Sequence, residues 1–308
     1  MILYKTKKGG INMEIGIVGL GFMGGSLAKT LKEVPTVEKI SACDSNTQNL
    51  IDAFNDGTVD AVSSKIDNIL ANSDIVFICT PVDQIFEVAR KLKDIVKPSC
   101  VVTDIGSVKN EVTHQIDMLG LKYVGSHPMK GGEKEGYINS KADLFKGAKW
   151  IITPTLSTDE KAVKDLAELL IQLETTPYYL SPQRHDEVVA SISHVPHVIA
   201  SIESLFASAL DDEGVLEDLV AGGFKDSTRI AKVNMPVWQS IYNQNKDNII
   251  EQLYLFRDML DMFTKALEEG DQALIADIMK EGKEYREKLD NPDLKETSSV
   301  KKIEYPNK

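Results

Sequence analysis

The sequence predicts an α/β protein whose N-terminal part is a doubly wound, mostly parallel sheet and whose C-terminal part is all helical. Two observations lead to this prediction. From Glu14 to about Leu180, short apolar runs alternate with longer amphipathic segments, which is the pattern of strands joined by right-handed helical crossovers. After Pro182 the strand pattern ends, and the chain continues as successive helices to about Leu289.

The predicted strands are short, and several are continuously apolar, as strands covered on both faces by helices must be. They are Ile15–Gly19, Lys39–Cys43, Asp74–Cys79, Cys100–Asp104, Tyr123–Gly125, Trp150–Thr153 and Pro177–Leu180. The segments between them predict helices over 24–34, 45–55, 83–96, 107–119 and 158–173. Further helices are predicted over 183–210, 213–220, 223–233, 236–245, 247–268 and 271–287. The apolar residues of 248–267 form a wide stripe that is suited to burial.

Composition narrows the classes of function. The 308 residues include 35 Lys and Arg against 47 Asp and Glu, a net charge of -12, which argues against a nucleic-acid binder. No apolar run approaches the roughly 20 residues that cross a bilayer, and the N-terminus lacks the pattern of a secretory signal. Cys43, Cys79 and Cys100 stand singly in apolar runs, which favours reduced core thiols over disulfides or a metal site. We therefore predict a cytoplasmic protein without a metal.

A glycine motif follows the first strand. Gly19, Gly21 and Gly24 form G-x-G-x-x-G at the start of a helix. Gly19 permits the tight turn, Gly21 lets the backbone approach a pyrophosphate, and Gly24 lets the helix pack on the strand. The whole segment, including Leu20, Phe22 and Met23, is the predicted cofactor-binding turn of a Rossmann-type domain.

The second strand ends in an acid that indicates the cofactor. Asp44 stands twenty residues after Gly24, where a carboxylate meets the adenosine ribose. No cation for a 2′-phosphate follows it in Ser45–Gln48, so NAD is predicted over NADP. Thr80 and Pro81 either line the nicotinamide ribose or form a plain strand-to-helix turn.

Two further strands end in chemistry-bearing residues. His127 lies at the carboxyl end of a predicted strand, where an imidazole could take the proton of a hydroxyl as hydride leaves the same carbon. Ser107 ends the neighbouring strand and either bonds that imidazole or the hydroxyl, or caps a helix. Two other histidines, His114 and His185, are predicted to be solvated on helix surfaces.

The helical part carries two polar clusters. His194 and His197 are spaced to share a helix face that Pro196 bends, and we interpret them as polar contacts to a small anion or cofactor. Arg229 follows Gly222-Gly223 in an otherwise apolar segment, as either a bidentate carboxylate clamp or an internal ion pair.

Five segments together resemble the prephenate dehydrogenase family of tyrosine biosynthesis, which also includes arogenate dehydrogenases. They are GLGFMGGSLA from Gly19, DIGSVK at 104–109, GSHPM at 125–129, SHVPH at 193–197 and GGFKDSTRIA at 222–231. The resemblance covers Glu14 to about Leu289. It implies oxidative decarboxylation of prephenate to 4-hydroxyphenylpyruvate, with NAD as the hydride acceptor.

The resemblance also implies roles for individual residues. His127 would accept the hydroxyl proton, with Ser107 orienting it, and Arg229 would bind the ring carboxylate. The substrate pocket would further include His197, Ser193, His194, Gly222, Lys225 and Trp238, with Glu133 as an acid that gates the site or pairs with a cation. Where the family has Ala-Gly after GSHPM, this chain has Lys130-Gly131-Gly132. Lys130 either contacts a substrate carboxylate, pairs with Glu133 or, as we favour, points to water.

These predictions define four segments. Residues 1–12 are an expected disordered extension, 13–180 the dinucleotide-binding domain, 181–289 a helical substrate and dimerisation domain, and 290–308 a polar tail. The tail and extension are too short for the effector or mutase domains of some relatives, and the resemblance implies a homodimer. The alternatives are an arogenate dehydrogenase, a β-hydroxyacid dehydrogenase with a catalytic lysine, and a non-catalytic NAD-binding protein.

Overall fold

The structure, a computed structural model, describes residues 12–132 and 134–291. Its sheet has eight strands in the order β3-β2-β1-β4-β5-β6-β7-β8. The strands are β1 Met13–Val18, β2 Val37–Cys43, β3 Ala61–Ser63, β4 Ile75–Ile78, β5 Val101–Asp104, β6 Lys122–Pro128, β7 Lys149–Thr153 and β8 Thr176–Tyr179. All neighbouring strands are parallel except β6 and β7. The predicted doubly wound, mostly parallel sheet is confirmed.

Helices cover both faces of this sheet. The helices of the α/β part are α1 Phe22–Lys32, α2 Thr47–Asn55, α3 Ile85–Leu92, α4 Asn110–Asp117 and α5 Glu160–Gln172. In β4, Ile75 and Phe77 pack into the core with α1 and α5, while Val76 and Ile78 pack into the core with α3 and α4. Because successive strand residues face opposite sides, both alternating sets must be apolar, and this explains the continuously apolar strand sequences.

The antiparallel pair β6–β7 reflects the connection between these strands. A parallel neighbour needs a crossover, which is usually a helix. Between Met129 and Ala148 the described residues contain a single one-turn helix, Tyr137–Asn139, so the chain returns directly and β7 runs opposite to β6. His127 lies in this antiparallel part of β6, paired with Ile151.

The rest of the described chain is helical, as predicted. Its helices are α6 Pro182–Val189, α7 Val195–Leu210, α8 Val215–Leu219, α9 Gly222–Ser227, α10 Met235–Gln244, α11 Lys246–Glu269 and α12 Gln272–Asp290. The chain divides into two compact units, residues 1–246 and 247–308. The boundary between 180 and 181 stays a prediction. The predicted extension lies outside the described residues except for Asn12, and the predicted tail lies outside them after Asn291.

A π-helical turn, Ala190–His194, joins α6 to α7, so 182–210 is one continuous helix. Pro196 is the second residue of α7 and so lies inside this continuous helix, where a proline removes one backbone hydrogen bond. This helix is long and apolar enough, by length and composition, to cross a membrane, which corrects the expectation that no stretch approaches that length. His185, Asp186 and His194 are nevertheless buried within the protein along it, and such groups are expensive in lipid. We therefore assign the helix to the protein fold.

The apolar stripe predicted in 248–267 is only partly buried. In α11, Ile249 and Ala266 are buried, whereas Tyr254 and Leu260 are more than half exposed. A stripe of this kind on one chain is a surface that favours burial against another protein surface.

Candidate active site

The glycine turn has the geometry of a phosphate-binding turn. Gly19 has φ +99°, and a Cβ on it would lie 2.8 Å from the carbonyl oxygen of Cys79. A Cβ on Gly24 would lie 1.9 Å from the carbonyl oxygen of Gly19, so α1 approaches the strand as closely as only glycine allows. A Cβ on Gly21 would meet nothing within 4 Å. The space beside Gly21 is therefore open to a ligand at the N-terminus of α1, as a bound dinucleotide requires.

Asp44 stands beside this turn at the end of β2. Its Oδ2 accepts hydrogen bonds from the Leu20 amide (2.5 Å) and the Asn49 side chain (3.4 Å), and its Oδ1 accepts one from the Asn46 amide (2.7 Å). These bonds hold a half-buried carboxylate next to the glycine turn. A carboxylate there can accept hydrogen bonds from ribose hydroxyls, so Asp44 fits the role predicted for it.

A cleft of about 760 Å³ opens beside Gly21. Predicted cofactor residues and predicted catalytic or substrate residues both line it, namely Gly21, Phe22, Met23, Thr80, Pro81, Ser107, His127, Ser193, His197 and Trp238. The carboxyl ends of β4, β5 and β6 bring Thr80, Ser107 and His127 to one edge of the sheet, where open α/β sheets bind ligands. The α6–α7 helix and α10 supply the last three. The cleft therefore joins the predicted cofactor residues to the predicted proton acceptor.

His127 borders this cleft at the end of β6. Burial lowers the pKa of His127 well below its ordinary value, and nearby His185, Lys109 and His194 lower it further. A neutral imidazole can accept a proton. The environment thus suits His127 to the role of a proton acceptor.

His185, predicted to be solvated, is fully buried, and that prediction is wrong. Its Nε2 lies 2.9 Å from His127 Nδ1, and its Nδ1 lies 2.7 Å from Asp186 Oδ1. The Asp186 carboxylate also accepts hydrogen bonds from the amides of Lys109 and Asn110, at 2.8 Å each. Asp186 thereby caps α4 from outside that helix, and this packing of α6 on α4 buries His185. His114, by contrast, is exposed as predicted.

Ser107 and Lys109 lie at the β5–α4 junction, next to the cleft. Ser107 is half-buried and lines the cleft, while the residue that precedes α4 as its N-cap is Lys109. The Lys109 ammonium is fully buried against the Asp104 carboxylate, which also accepts a hydrogen bond from the Tyr123 hydroxyl at 2.7 Å. Of the two interpretations of Ser107, the geometry favours a contact to the cleft over a helix cap.

His194 and His197 flank Trp238 and do not share a position in the cleft. The ring centroids of His197 and Trp238 are 3.9 Å apart, and those of His194 and Trp238 are 5.9 Å apart at right angles. His194 is buried and its Nδ1 accepts a hydrogen bond from the Asn245 side chain at 3.0 Å. Of the two histidines, His197 lines the cleft. His194 instead packs edge-on against Trp238 outside the cleft lining.

The Gly222–Arg229 cluster lies outside the cleft lining. Gly222 and Lys225 are exposed on α9, and Arg229 is exposed in the following one-turn helix Arg229–Ala231. The adjacent Ile230 and Lys232 do line the cleft. The single chain therefore brings the backbone of this cluster to the cleft mouth and leaves its predicted anion-binding side chain at the surface.

The loop after β6 covers the same mouth. Lys130, Gly131 and Gly132 line the cleft, and Lys130 is exposed, as expected of a side chain oriented toward water. A Cβ on Gly132 would lie 2.6 Å from the Phe22 ring, so this loop packs directly on the start of α1. Glu133 lies outside the described residues.

Two family models and a curated relative match this chain. Residues 27–179 match the family model of the prephenate dehydrogenase nucleotide-binding domain, and residues 181–281 match that of the prephenate dehydrogenase dimerization domain. The prephenate dehydrogenase of Bacillus subtilis is 31% identical over 280 residues, which are 89% of this chain and 75% of that protein.

Two solved structures are similar over most of the chain. A prephenate dehydrogenase from A. aeolicus, solved with hydroxyphenyl propionate and NAD+, is 32% identical with a TM-score of 0.85 over 92% of this chain and 100% of the other. The arogenate dehydrogenase of Synechocystis is 26% identical with a TM-score of 0.80 over 90% of this chain and 100% of the other. The chain belongs to the prephenate dehydrogenase family, dehydrogenases of tyrosine biosynthesis with a nucleotide-binding Rossmann-type domain.

Proposed function

We propose that this protein catalyses the NAD-dependent oxidative decarboxylation of prephenate to 4-hydroxyphenylpyruvate. The observation that carries the proposal is the single cleft lined by both the glycine turn and the His127 imidazole. Hydride leaves ring C4, the bond between C1 and the ring carboxylate breaks to release CO2, and the ring becomes aromatic. When bound, the oxidised nicotinamide supplies the hydride acceptor.

In this reaction His127 acts on the hydroxyl of C4. As hydride departs, the hydroxyl oxygen gains carbonyl character, and its proton shifts toward the neutral imidazole. The product phenol retains that proton, so the base is regenerated in each turnover. Ser107, half-buried beside the cleft, orients the hydroxyl.

The remaining predicted residues form the substrate pocket. Arg229, exposed next to the cleft-lining residues Ile230 and Lys232, is proposed to bind the ring carboxylate, and the charge that it holds disappears with CO2. The predicted pocket residues are Ser193, His197, Trp238, His194, Gly222, Lys225 and Glu133. His197 stacks on Trp238, which gives the substrate side chain a rigid wall.

We propose NAD over NADP because the Asp44 carboxylate lies beside the glycine turn, where an acid would meet the adenosine ribose. Its carboxylate repels a 2′-phosphate, so Asp44→Ala should relax this preference. The measurement is kcat/KM for each cofactor, and we expect the NAD+/NADP+ ratio to fall by about tenfold or more, the equivalent of one lost charge contact. An unchanged ratio in Asp44→Ala would assign the selection to another group.

Arogenate is the second candidate substrate, because the Synechocystis protein similar to this chain is an arogenate dehydrogenase. Prephenate ends in a keto acid, whereas arogenate carries an ammonium group at that carbon. Among the described residues, the cleft lining carries three lysines, Lys130, Lys134 and Lys232, against one acid, Glu135. This excess of positive charge favours the substrate without the ammonium group. This charge distribution supports prephenate.

The decisive experiment compares kcat/KM for prephenate and arogenate with NAD+ and NADP+, with a 3-hydroxy acid as the β-hydroxyacid control. We expect NADH formation mainly from prephenate, and His127→Ala should lower kcat by about 10²–10⁴-fold with unchanged NAD+ affinity. A faster reaction with arogenate would identify the alternative. No reduction of cofactor with either substrate would exclude the dehydrogenase function.

We further propose a cytoplasmic homodimer that forms through the helical part. In α7, Ile202, Leu205, Phe206 and Leu210 are each more than half exposed, at the spacing of one helix face. Sedimentation at micromolar concentration measures the dimer directly.

A further inference from the structure

Two buried polar side chains, Asp186 and His185, form a hydrogen-bonded chain that ends at His127, the proposed proton acceptor. Asp186 Oδ1 lies 2.7 Å from His185 Nδ1, and His185 Nε2 lies 2.9 Å from His127 Nδ1. His185 and Asp186 are 0% and 1% exposed, so water does not compete for these contacts. We propose that Asp186 and His185 are positioning residues that fix His127 as the Nδ1–H tautomer, with Nε2 left as the acceptor for the substrate proton.

The direction of each hydrogen bond follows from the outer end of the chain. An ionised carboxylate only accepts hydrogen bonds, and Asp186 already accepts two from the amides of Lys109 and Asn110. Those two amides orient the carboxylate, since each of its oxygens accepts one of them. His185 Nδ1 must therefore donate to Asp186.

The tautomer of His185 then determines that of His127. A neutral imidazole has one N–H and one lone pair, so His185 Nε2 can only accept. His127 Nδ1 must then donate to it, and the lone pair of His127 falls on Nε2. Burial lowers the pKa of both imidazoles, which keeps each of them in the neutral form that this assignment requires.

The surrounding charges keep His127 neutral at rest and also stabilise it when it takes up a proton. The Lys109 ammonium lies near both imidazoles and opposes their protonation, while it is itself paired with Asp104. When His127 takes up positive charge at Nε2, the Asp186 carboxylate stabilises that charge through His185, as an acid behind an imidazole does in other proton-transfer sites. The chain thus makes His127 a resting acceptor that can hold a proton transiently.

The catalytic consequence rests on the proposed dehydrogenase function, but the tautomer does not. Nitrogen-15 NMR of the imidazole rings distinguishes a protonated from an unprotonated ring nitrogen, and only five histidines need assignment. In the free protein near neutral pH, we expect His127 to show a protonated Nδ1 and an unprotonated Nε2. A protonated Nε2 in the wild-type protein would overturn the inference, whatever the enzyme activity.

Two substitutions at His185 separate the hydrogen bond from packing. His185→Phe fills the space without an acceptor, whereas His185→Gln keeps an amide oxygen that can accept from His127 and an amide N–H that can donate to Asp186. We expect His185→Phe to lower kcat by about 10²-fold or more, since a wrong tautomer is costly, with an unchanged dissociation constant for the nucleotide. His185→Gln should recover most of that loss.

The matched control is His114→Gln, which changes an exposed histidine and should leave kcat unchanged. Thermal unfolding of each variant identifies any loss of fold. If a folded His185→Phe protein keeps its kcat within about threefold, or keeps the wild-type nitrogen shifts of His127, the positioning role is excluded. If no variant or wild-type protein turns over prephenate or arogenate while the shifts behave as expected, the proposed function fails and the tautomer assignment stands.

Discussion

The exposure of a single side chain decides which interactions Arg229 can make. Arg229 is exposed at the surface of one chain, whereas the neighbouring Ile230 and Lys232 line the cleft. An exposed guanidinium gains little from an ordinary surface ion pair. It gains more from a bound carboxylate, because the bidentate geometry of arginine matches that group.

Arg229→Ala should therefore affect substrate binding more than chemistry. We expect the KM for prephenate to rise about tenfold to 150-fold, the equivalent of roughly 1.5–3 kcal/mol for a charged hydrogen bond, with a smaller change in kcat. Steady-state kinetics at saturating NAD+ measure both constants. The control is Arg90→Ala, which removes an exposed arginine paired with Glu87 at 2.7 Å. A KM equal to that of the control would mean that Arg229 has a structural role.

Residues at strand ends were predictable from the sequence, whereas those defined by packing were not. Ser107 follows β5, and His127 lies near the end of its parallel neighbour β6. The carboxyl ends of parallel strands meet at one sheet edge, so the approach of these two residues was predictable. His185 lies on a helix, and its burial depends on Asp186 capping α4, a contact between residues 76 or more positions apart. The adjacent His185 and Asp186 near the start of a helix are the signal that the sequence offers, but they do not specify the partner.

At the scale of the element, two glycines of the turn from β1 to α1 have different roles. Gly24 lies against backbone, whereas Gly21 faces open space. One glycine thus permits the packing of the helix, and the other permits the approach of a ligand. Substitutions at the two positions should have different consequences.

Gly24→Ala should destabilise the fold, because its Cβ would overlap a carbonyl oxygen, and overpacking costs about 1–3 kcal/mol or more. Gly21→Val should leave the free energy of unfolding nearly unchanged and raise the dissociation constant for NAD+ by about tenfold or more, because its side chain fills the space of a phosphate. Urea unfolding and calorimetric titration measure the two effects. Gly282→Ala, in open space on α12, is the control. Wild-type NAD+ affinity in Gly21→Val would place the pyrophosphate elsewhere.

Element boundaries show which local patterns are informative. All seven predicted strands exist. The central strands β4 and β5 carry apolar runs that are buried throughout, whereas β8 at the sheet edge is mostly exposed. β3 was not predicted, since Ala61–Ser63 has only three residues, too few for a periodicity. The π-helical turn Ala190–His194 was also missed, as its extra residue leaves the apolar pattern of the long helix almost unchanged. His194 is the last residue of this turn, and His197 lies one α-helical turn further along.

At the scale of the whole molecule, the buried imidazoles make the free energy of unfolding depend on pH. Burial lowers the pKa of His194 to about 4, and it lowers the pKa values of His127 and His185 as well. Asp186 opposes the shift of His194, while His185 and His197 add to it. The folded protein thus keeps His194 neutral at pH values at which the unfolded chain, with an ordinary pKa near 6.5, binds a proton.

The free energy of unfolding should therefore be highest above pH 6.5 and should fall as the pH drops toward 4, because the unfolded state binds more protons in this interval. His194 alone accounts for about 2 kcal/mol between roughly pH 7.5 and pH 5, because each pH unit below the unfolded-state pKa costs about 1.36 kcal/mol until the folded-state pKa is reached. His194→Asn keeps an oxygen that can accept the Asn245 hydrogen bond and removes the titration, so its loss of stability over this interval should be smaller by that amount. His114→Gln, an exposed control, should follow the wild type. Urea unfolding at fixed protein concentration, which keeps any self-association constant, tests the difference, and equal slopes in His194→Asn and wild type would show that His194 is protonated in the folded protein.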